Sequence, residues 1–306
     1  MTDITAIVLT HNETLHIGRC IDRLQRWCAK IIVLDSFSED NTVAIARAAG
    51  AEVHSRAFIN QAEQFQWALD TIPIATEWII RVDADEYFEP ALVAEIKERL
   101  PTLDARTTGV MFRRKMIFRG RWIRWGTYYP VFLLRLFRTG AARVEQRWMD
   151  EHLQLTHGDA ILFVRGDFVD ENLQTIGAWT DKHNRYATRH MVDFVGRRIG
   201  LIPTEPMPAD RKARTKRWLR EKVFGRTPLY LRSWLYFNYR FFVRLGFLDG
   251  CQGFVWHFLH GFWFFMLIDA KIDEAERQIA AHGEESLPQW LAERYGFTEL
   301  LPGRPK

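Results

Sequence analysis

The sequence predicts an α/β fold: a mostly parallel sheet flanked by helices, followed by a helical, aromatic-rich extension. Short apolar runs alternate with amphipathic stretches over the first hundred residues, and clusters of polar residues directly follow several of the apolar runs. The chain also contains 12 Trp, 22 Phe and 8 Tyr, which are concentrated toward its C-terminal half. We expect a sheet domain over residues 1–200 and the extension over residues 201–306.

The strands and helices of the first hundred residues can be predicted in order. Four strands are predicted at residues 4–9, 31–34, 51–53 and 77–82. Four helices are predicted at residues 17–28, 42–49, 61–69 and 90–100. Cys20 and Cys28 recur at helical spacing, which predicts that both lie on the buried face of the first helix. Gly50 is a typical residue to close the second helix, and Pro90 is typical of the first turn of the fourth.

The pattern changes after residue 107. Strands and loops rich in Arg and aromatic residues predict a mixed or antiparallel extension of the sheet to about residue 162, and a helix is predicted over residues 171–196. A basic run with eight Lys and Arg residues follows at positions 211–226. The next helix, predicted over residues 229–248, carries Arg232, Arg240 and Arg244 on one side. The apolar run 254–268 is shorter than the roughly 20 residues of a membrane span, so we expect an interfacial helix or a buried hairpin.

The composition is that of a globular protein. Of the 306 residues, 47% are hydrophobic and 26% are charged, which excludes a disordered or collagen-like chain. A net charge of +4 is too small to indicate nucleic-acid binding. Three cysteines without a CxxC pair support neither a disulfide framework nor a zinc ribbon. No secretory signal is recognised, and we expect a cytoplasmic protein.

The strongest chemical signal is Asp83-Ala84-Asp85, at the end of the fourth predicted strand. Two carboxylates one residue apart on a turn can share a divalent cation and the diphosphate that the cation carries. Thr10-His11-Asn12-Glu13 follows the first strand, and residues 35–42, which begin with Asp35, follow the second. Because parallel neighbours end at the same edge of a sheet, these groups are expected to meet where open α/β sheets bind ligands.

A nucleotide could lie across these strand ends. We expect Asn12, Glu13 and Asp35 near its base and ribose, Asp83 near the ribose, and Asp85 on the metal. A helix cap at Asp40 or Asn41 is a second, compatible role for residues 35–42. No GxGxxG or GxxxxGK[ST] loop occurs, so metal and side chains would have to meet the diphosphate charge. This favours a metal-dependent nucleotide-sugar site over a dinucleotide oxidoreductase or a P-loop enzyme.

These motifs resemble the successive signatures of family 2 glycosyltransferases, which have the GT-A fold with its Rossmann-like sheet. The matching segments are residues 10–13, 35–42 and 78–86. Further segments resemble one branch of that family, the lipopolysaccharide-core and polysaccharide glucosyltransferase-like branch, namely residues 134–138, 149–153, 182–187 and 247–250. The resemblance covers most of residues 1 to about 270.

The resemblance implies transfer of one sugar from a nucleotide diphosphate donor, with inversion at the anomeric carbon and help from Mg²⁺ or Mn²⁺. It implies UDP-glucose or another UDP-hexose as the default donor, and a lipopolysaccharide-core, polysaccharide or lipid-linked glycan as the acceptor. Glu151 matches the family's acidic position best and is the expected base, with Asp150 as the alternative, because Asp150 stands where a His commonly precedes the Glu. The donor site would then also include Thr10 and Arg81.

Several alternatives remain open at this stage. Arg135 could contact donor phosphates or an anionic acceptor, or could lie on the solvent side of a strand. The basic and aromatic tail fits docking to the inner face of a membrane, with a homo-oligomer interface or a helical lid as the alternative. A sugar nucleotidyltransferase and a non-catalytic membrane-surface binding protein on the same fold are the two rival functions.

Overall fold

The computed structural model describes residues 2–149, 151–202 and 227–301. These residues form two compact units, each with a hydrophobic core. The first unit comprises residues 2–146, 151–175 and 247–253, and the second comprises residues 147–149, 176–202, 227–246 and 254–301. The predicted boundary after residue 200 falls inside the second unit. The basic run at 211–226 lies outside the described residues.

The first unit contains eleven strands and four helices among its described residues. The strands are β1 (Thr2–Thr10), β2 (Cys28–Asp35), β3 (Glu52–Ser55), β4 (Trp78–Asp83), β5 (Glu86–Phe88), β6 (Thr107–Phe118), β7 (Arg121–Ile123), β8 (Val131–Arg138), β9 (Ala142–Val144), β10 (Leu153–Leu155) and β11 (Asp159–Glu171). The helices are α1 (Ile17–Gln25), α2 (Thr42–Ala48), α3 (Gln61–Thr71) and α4 (Pro90–Arg99).

Nine of these strands form one mixed sheet. Its order is β3-β2-β1-β4-β8-β6-β11-β5, with β7 paired to β6, while β9 and β10 form a separate pair. Strands β1 to β4 are parallel, β8 runs antiparallel between β4 and β6, and β5 is antiparallel to β11. The predicted parallel core with a mixed extension is therefore confirmed.

Helices cover both faces of this sheet. On one face α1, α2 and α4 pack against alternate residues of the strands, with Trp78 and Phe112 fully buried among them. On the other face α3 packs through Phe65 against Ile79 and Phe137. Adjacent residues of β4 thus enter opposite cores, as the two-residue period of a strand requires. The face of the sheet on which a residue of β4 lies therefore determines which side chains surround it.

Two predicted boundaries in this unit were wrong. Helix α1 ends at Gln25, and Cys28 begins β2, where it pairs with Thr2. The apolar residues at positions 27 and 28 fit the start of a buried strand as well as the end of a helix, and periodicity alone does not separate these. The helix predicted from residue 171 begins only at Ile176, because β11 continues to Glu171.

The second unit is helical in its described residues. Its helical elements are α5 (Ile176–Arg198), α6 (Leu231–Asn238), a π turn (Tyr239–Val243), α7 (Gly250–Phe258), a second π turn (Leu259–Trp263), α8 (Phe264–His282) and α9 (Leu287–Tyr295). Its core is formed mainly by α5, α8 and α9, with Met191, Ile272 and Leu291 buried. The first four residues of α7 belong to the first unit.

The three arginines predicted on one side of the helix at 229–248 differ in burial, and Arg244 is exposed. Arg232 and Arg240 are buried, and Arg232 donates from Nε to Asp269 Oδ1 over 2.7 Å. Asp269, itself buried, also accepts hydrogen bonds from the Ser233 hydroxyl and the Tyr230 backbone N–H. Asp269 lies 37 residues farther along the chain than Arg232. The local sequence pattern therefore does not predict that Arg232 points inward.

One helix among the described residues, Gly246–His282, is long and apolar enough to cross a membrane by length and composition. It is longer than the predicted run 254–268 because α7, the π turn and α8 are continuous. Within its most apolar window, 33% of the residues are buried. Core helices of ordinary globular proteins pass the same test, and the interfacial placement of this run stays a prediction.

Candidate active site

The polar strand ends predicted from the sequence meet at one edge of the sheet. Thr10 of β1 is paired with Asp35 of β2, and Leu9 is paired with Asp83 of β4. The three chain segments that follow β1, β2 and β4 therefore leave the sheet side by side. This edge is the carboxyl edge of the parallel strands, the usual ligand-binding position in open α/β sheets.

Asp35 organises the loops after β1 and β2. Its side chain is buried and accepts hydrogen bonds from the Thr10 hydroxyl (3.0 Å), the Ser38 backbone N–H (2.8 Å) and the Ser38 hydroxyl (2.5 Å). A carboxylate that is removed from water requires such partners. Thr10 and Asp35, both predicted in the donor site, are therefore bonded to each other and shape the loop surface.

Asn12 and Glu13 are held by the loop that Asp35 organises. The backbone N–H of Asn12 donates to Ser38 Oγ over 2.8 Å, and Asn12 Oδ1 accepts from the Glu39 N–H over 2.9 Å. Asn12 also has a positive φ of 57°, a left-handed conformation that Asn tolerates better than most residues. The backbone N–H of Glu13 donates to Thr42 Oγ1 over 2.7 Å.

His16 links this loop to the end of β11. Its Nδ1 lies 2.6 Å from Glu13 Oε2, and its Nε2 accepts a 2.8 Å hydrogen bond from the Leu173 backbone N–H. Because Nε2 is an acceptor, the ring proton lies on Nδ1 and is donated to Glu13. The ring is fully buried. The buried His16 ring therefore holds the Glu13 carboxylate in place.

Asp83 shares a guanidinium with Glu86. Arg135 Nη2 lies 3.2 Å from Asp83 Oδ2 and also bonds to Glu86 Oε1, while Glu86 Oε2 accepts the Asp83 backbone N–H over 2.9 Å. Arg135 is buried, which contradicts the alternative that it lies on the solvent side of β8. Burial alone would lower the pKa of Arg135, but the Glu86 and Asp83 carboxylates outweigh it and raise that pKa.

Glu151 forms a buried ion pair with Arg81. Arg81 and Asp83 lie two residues apart on β4 and so share the α3 face of the sheet, where Gln61 Nε2 is 3.5 Å from Asp83 Oδ1. Arg81 Nη2 donates to Glu151 Oε1 over 2.7 Å, and both side chains are only 6% exposed. The structure thus brings the expected base to the strand that carries Asp83. The alternative base, Asp150, lies outside the described residues.

Asp85 stands on the turn after β4, and its carboxylate has one side-chain partner among the described residues. Asn172 Nδ2 donates to Asp85 Oδ2 over 3.0 Å, and the Asp85 backbone carbonyl accepts from Arg19 and from the Glu171 N–H. Arg19 is in turn paired with the Glu171 carboxylate at 2.6 Å. Asp85 is therefore fixed by its backbone, while its carboxylate remains half-buried at the edge.

These residues fit a divalent cation only in part. Oxygen ligands such as the Asp85 and Asp83 carboxylates suit Mg²⁺ or Mn²⁺. Within the described residues, however, no group of three His, Cys, Asp or Glu side chains could hold a metal ion. Asp83 is already paired with Arg135. Asp83 and Asp85 are therefore the two carboxylates of the predicted motif that could contribute to a cation site at this edge.

The sequence prediction missed four residues of this site: Arg19, Gln61, Asn172 and His16. Asn172 follows β11, which runs parallel to β6, so its position after a strand end was a usable signal. Gln61 begins α3, and Arg19 and His16 lie at α1. They act through partners in distant segments, which neither motif spacing nor periodicity identifies.

The sequence profile described as "Glycosyl transferase family 2" matches residues 5–168, which is more than half of the chain. Among the relatives, an "Uncharacterized glycosyltransferase" of Rickettsia felis is 35% identical over 97 residues, covering 32% of this chain and 34% of that protein. The "Lipopolysaccharide core biosynthesis glycosyltransferase LpsC" of Rhizobium meliloti is 32% identical over 113 residues, covering 35% of this chain and 39% of that protein. The chain thus spans about a third of the length of the first curated relatives.

Among solved structures, glucosyl-3-phosphoglycerate synthase from Mycobacterium tuberculosis is similar to part of the chain. The sequence identity is 25%, the TM-score is 0.31, and the match covers 38% of this chain and 44% of that protein. That structure is a complex with Mn²⁺, uridine diphosphate and glucosyl-3-phosphoglycerate.

Proposed function

Because the chain belongs to glycosyltransferase family 2, we propose that it transfers one hexose from a UDP-sugar, such as UDP-glucose, with inversion at the anomeric carbon. The observation that carries the proposal is the meeting of Asp83, Asp85 and the Arg81–Glu151 ion pair at the carboxyl edge of one sheet. Family membership favours a glycosyltransferase over both a sugar nucleotidyltransferase and a non-catalytic binding protein.

In the proposed reaction Glu151 is the base. Its carboxylate takes the proton of the acceptor hydroxyl while that oxygen bonds to the anomeric carbon. The bond between the anomeric carbon and the diphosphate oxygen breaks, and its electron pair leaves with UDP. Attack from the face opposite to the leaving group inverts the configuration. One carboxylate is thus sufficient, with no covalent intermediate on the protein.

Arg81 is the positioning residue for Glu151. It occupies Glu151 Oε1, while Oε2 has no partner among the described residues. A single-point ion pair of this kind fixes the carboxylate and leaves one oxygen to receive a proton. In the same way, Arg135 holds Asp83 in place at the donor ribose.

Asp85, with Asp83 beside it, would hold Mg²⁺ or Mn²⁺ together with the diphosphate. When bound, such a cation stabilises the negative charge of the leaving diphosphate. Thr10, Asn12, Glu13 and Asp35 are proposed to line the base and ribose side of the donor. The rigid loop around Ser38 suits this, because a preformed loop loses little entropy on binding.

The direct test of the activity is a transfer assay with radiolabelled UDP-glucose, UDP-galactose and UDP-N-acetylglucosamine. Deacylated lipopolysaccharide core oligosaccharide would be the acceptor, with Mn²⁺ or with EDTA. We expect label in the oligosaccharide from one donor only with Mn²⁺. Asp85→Asn is the matched loss-of-function variant. No transfer from any of these donors would contradict the proposed donor and acceptor classes.

A lipopolysaccharide-core or other lipid-linked glycan is the proposed acceptor, and the inner face of the membrane is the proposed location. The second unit exposes a set of large apolar side chains on α6, α7 and the segment between them. They are Leu231, Trp234, Leu235, Tyr239, Phe242, Val243, Leu245, Phe254 and Phe258. Ring contacts between Phe241 and Phe254 (5.7 Å) and between Phe237 and Phe258 (6.4 Å) make these helices one continuous surface.

An anionic bilayer is the partner that fits this surface. Large apolar side chains grouped on a protein surface mark a site that another molecule covers. The preceding sequence, 211–226, carries eight Lys and Arg against one Glu, and each cation near an anionic leaflet contributes about 1 kcal/mol. Apolar surface and positive charge together match a membrane interface.

Co-sedimentation with vesicles tests the docking. We expect wild-type protein to pellet with vesicles of phosphatidylglycerol and phosphatidylethanolamine, and Trp234→Ser with Phe242→Ser to stay largely in solution. Leu162→Ser is the matched control, because Leu162 is an exposed apolar residue of the first unit. If the double variant still pellets with the vesicles, the docking surface lies elsewhere. If wild-type protein is a dimer on gel filtration and the double variant is not, this surface is an oligomer interface.

A further inference from the structure

The segment between β6 and β8, residues 119–130, contains the short strand β7 and lies at the same edge of the sheet as Asp83. It has no role in the mechanism above. Ile80 of β4 pairs with Leu136 of β8 in antiparallel register, so the start of β8 at Val131 extends past the end of β4. Arg114 of β6 pairs with Val131, which brings the end of β6 to this edge as well. We call residues 119–130 the aromatic loop.

Two aromatic side chains of this loop contact each other, and a third is exposed. The rings of Trp122 and Tyr129 meet edge to face, with centroids 5.0 Å apart at 87°. The Tyr129 hydroxyl donates to Asp167 Oδ1 over 3.2 Å. Trp125 is 38% exposed. The buried indole N–H of Trp122 has no hydrogen-bond partner in the described part of the chain, which is costly unless a ligand or water accepts it.

Asp249 fixes the backbone of the aromatic loop from a distant segment. Its Oδ1 accepts the Arg124 N–H and its Oδ2 accepts the Trp125 N–H, each over 3.0 Å. Asp249 is buried, and it lies about 125 residues farther along the chain. Hydrogen bonds to an ionised acceptor are about twice as strong as neutral ones. One carboxylate thus holds two consecutive peptide groups, including that of the exposed Trp125.

The aromatic loop also carries positive charge without acidic partners. Arg119, Arg121 and Arg124 are exposed, and none of them forms an ion pair within residues 2–149, 151–202 and 227–301. The Arg124 guanidinium lies 5.2 Å from the Trp122 ring centroid and 5.9 Å from that of Trp125. Elsewhere in the first unit, Arg19, Arg81, Arg113 and Arg135 are paired with carboxylates.

A flat aromatic face beside guanidinium groups suits one class of ligand. The C–H face of a pyranose packs on an indole ring, and a guanidinium binds a phosphate or carboxylate through paired hydrogen bonds. We propose that the aromatic loop binds a sugar of the acceptor that carries a phosphate or a carboxylate, and that Asp249 is the positioning residue of this loop. This inference rests on the proposed glycosyl transfer, because it assigns the acceptor side of that site.

Hydrogen exchange tests the positioning by Asp249. In Asp249→Asn one of the two N–H groups faces an amide that donates, so we expect the amides of Arg124 and Trp125 to exchange at least 10-fold faster than in wild type. Asp22→Asn, at an exposed position on α1, is the control and should change neither. Unchanged exchange of both amides in Asp249→Asn would overturn the positioning role.

Binding of three small sugars tests the ligand class. Glucose 6-phosphate, glucuronic acid and glucose would be titrated and followed by saturation-transfer NMR. We expect the two anionic sugars to bind at least 5-fold more tightly than glucose, and the tighter of the two identifies phosphate or carboxylate. Trp125→Ala should abolish this binding. The double variant Arg121→Gln with Arg124→Gln should bind charged and neutral sugars equally well. Asp249→Asn should lower the affinity for the anionic sugars but leave the affinity for UDP-glucose unchanged. Leu162→Ala, at an exposed apolar residue of β11, is the control.

Equal affinity for the charged and neutral sugars, or unchanged binding by Trp125→Ala, would overturn the inference. Titration of UDP-glucose with Mn²⁺ in parallel keeps it separate from the proposed function. If anionic sugars bind at Trp125 while no nucleotide sugar binds, the loop assignment stands and the transferase donor class fails. If UDP-glucose binds and the anionic sugars show no preference for the loop, the transferase donor class stands and the loop assignment fails.

Discussion

The two units of the chain bury charge in different ways. At the sheet edge of the first unit, one guanidinium, that of Arg135, is shared by the Asp83 and Glu86 carboxylates. In the second unit, the Arg232 guanidinium pairs with Asp269, and the Ser233 hydroxyl and the Tyr230 N–H also donate to that acid. The first arrangement places two acidic side chains beside a strand end, whereas the second places its acid among helices.

This difference shows that a buried ion pair does not by itself mark a site. What distinguishes the Arg135 cluster is its position at the end of a parallel strand, next to the half-buried Asp85. The Arg232 pair lies inside a helical core whose outer surface is apolar. We therefore expect changes in the first unit to alter chemistry and donor binding, and matched changes in the second to alter stability or surface contacts.

The largest effect is expected from Glu151→Gln. Transfer should fall by about 10²–10⁴-fold, the usual contribution of a general base, while UDP-glucose affinity stays unchanged. Initial rates at saturating donor, together with donor calorimetry, measure this. Asp150→Asn is the matched variant at the neighbouring position and should retain most of its rate. If Asp150→Asn loses activity and Glu151→Gln does not, the roles of these two residues are reversed.

A matched pair of variants sharpens the comparison of the two ion pairs. Arg135→Met and Arg232→Met each leave a buried carboxylate without its counter-charge, so each should lose about 3–5 kcal/mol of unfolding free energy. Only Arg135→Met should also lose UDP-glucose affinity. Urea unfolding and calorimetry separate the two results. Equal loss of donor affinity in Arg232→Met would mean that the two units are not functionally distinct.

The second unit should be the acid-sensitive one. Burial lowers the pKa of His183 to about 4, and the Lys182 charge acts in the same direction. The hydrogen bond of the His183 ring to the Trp179 carbonyl opposes both effects. The ring also faces His260 at 5.9 Å. Since the unfolded state takes up a proton near pH 6.5 and the folded state does so only near 4, stability should fall as the pH drops through this window, by up to about 3 kcal/mol.

Urea unfolding at pH 7 and pH 5 checks this, with His183→Phe as the variant that should remove much of the difference. His54→Phe, at a histidine of the first unit that is paired with Glu52, is the control. An unchanged pH dependence in His183→Phe would show that other groups cause the acid sensitivity.

The smallest effect is expected at an exposed ion pair. Arg26 and Asp22 form a 2.8 Å pair on α1, with both side chains largely exposed. Arg26→Gln should change the free energy of unfolding by at most about 1 kcal/mol and leave UDP-glucose affinity unchanged. A loss comparable to that of Arg135→Met, measured by the same urea unfolding, would refute the distinction between buried and exposed charge.

The sheet could be predicted from the sequence because its signals are local. Strand and helix periods differ, and turn residues such as Gly50 and Pro90 mark helix ends, so the first hundred residues gave the order of elements and the meeting of Asp35 and Asp83 at one edge. The boundary at Cys28 failed because a short apolar run fits either element. Errors of this kind shift an element without moving the site.

The partners within the site could not be predicted, because they come from segments far apart in the chain. Arg81 and Glu151 are 70 residues apart, and Asp85 and Asn172 are 87 apart. The same holds for Arg232, whose inward direction depends on Asp269. Motif spacing identifies which residues carry charge, but only the tertiary fold decides which charges meet.

The central claim, a donor site built on Asp85, is tested most directly by calorimetry of UDP-glucose with wild type and Asp85→Asn, each with Mn²⁺ and with EDTA. We predict binding by wild type with Mn²⁺, and affinity at least 10-fold weaker with EDTA and in Asp85→Asn, whose unfolding free energy should stay close to that of wild type. Binding of equal affinity in all four titrations would contradict the account, because neither the metal nor Asp85 would then contribute to the donor site.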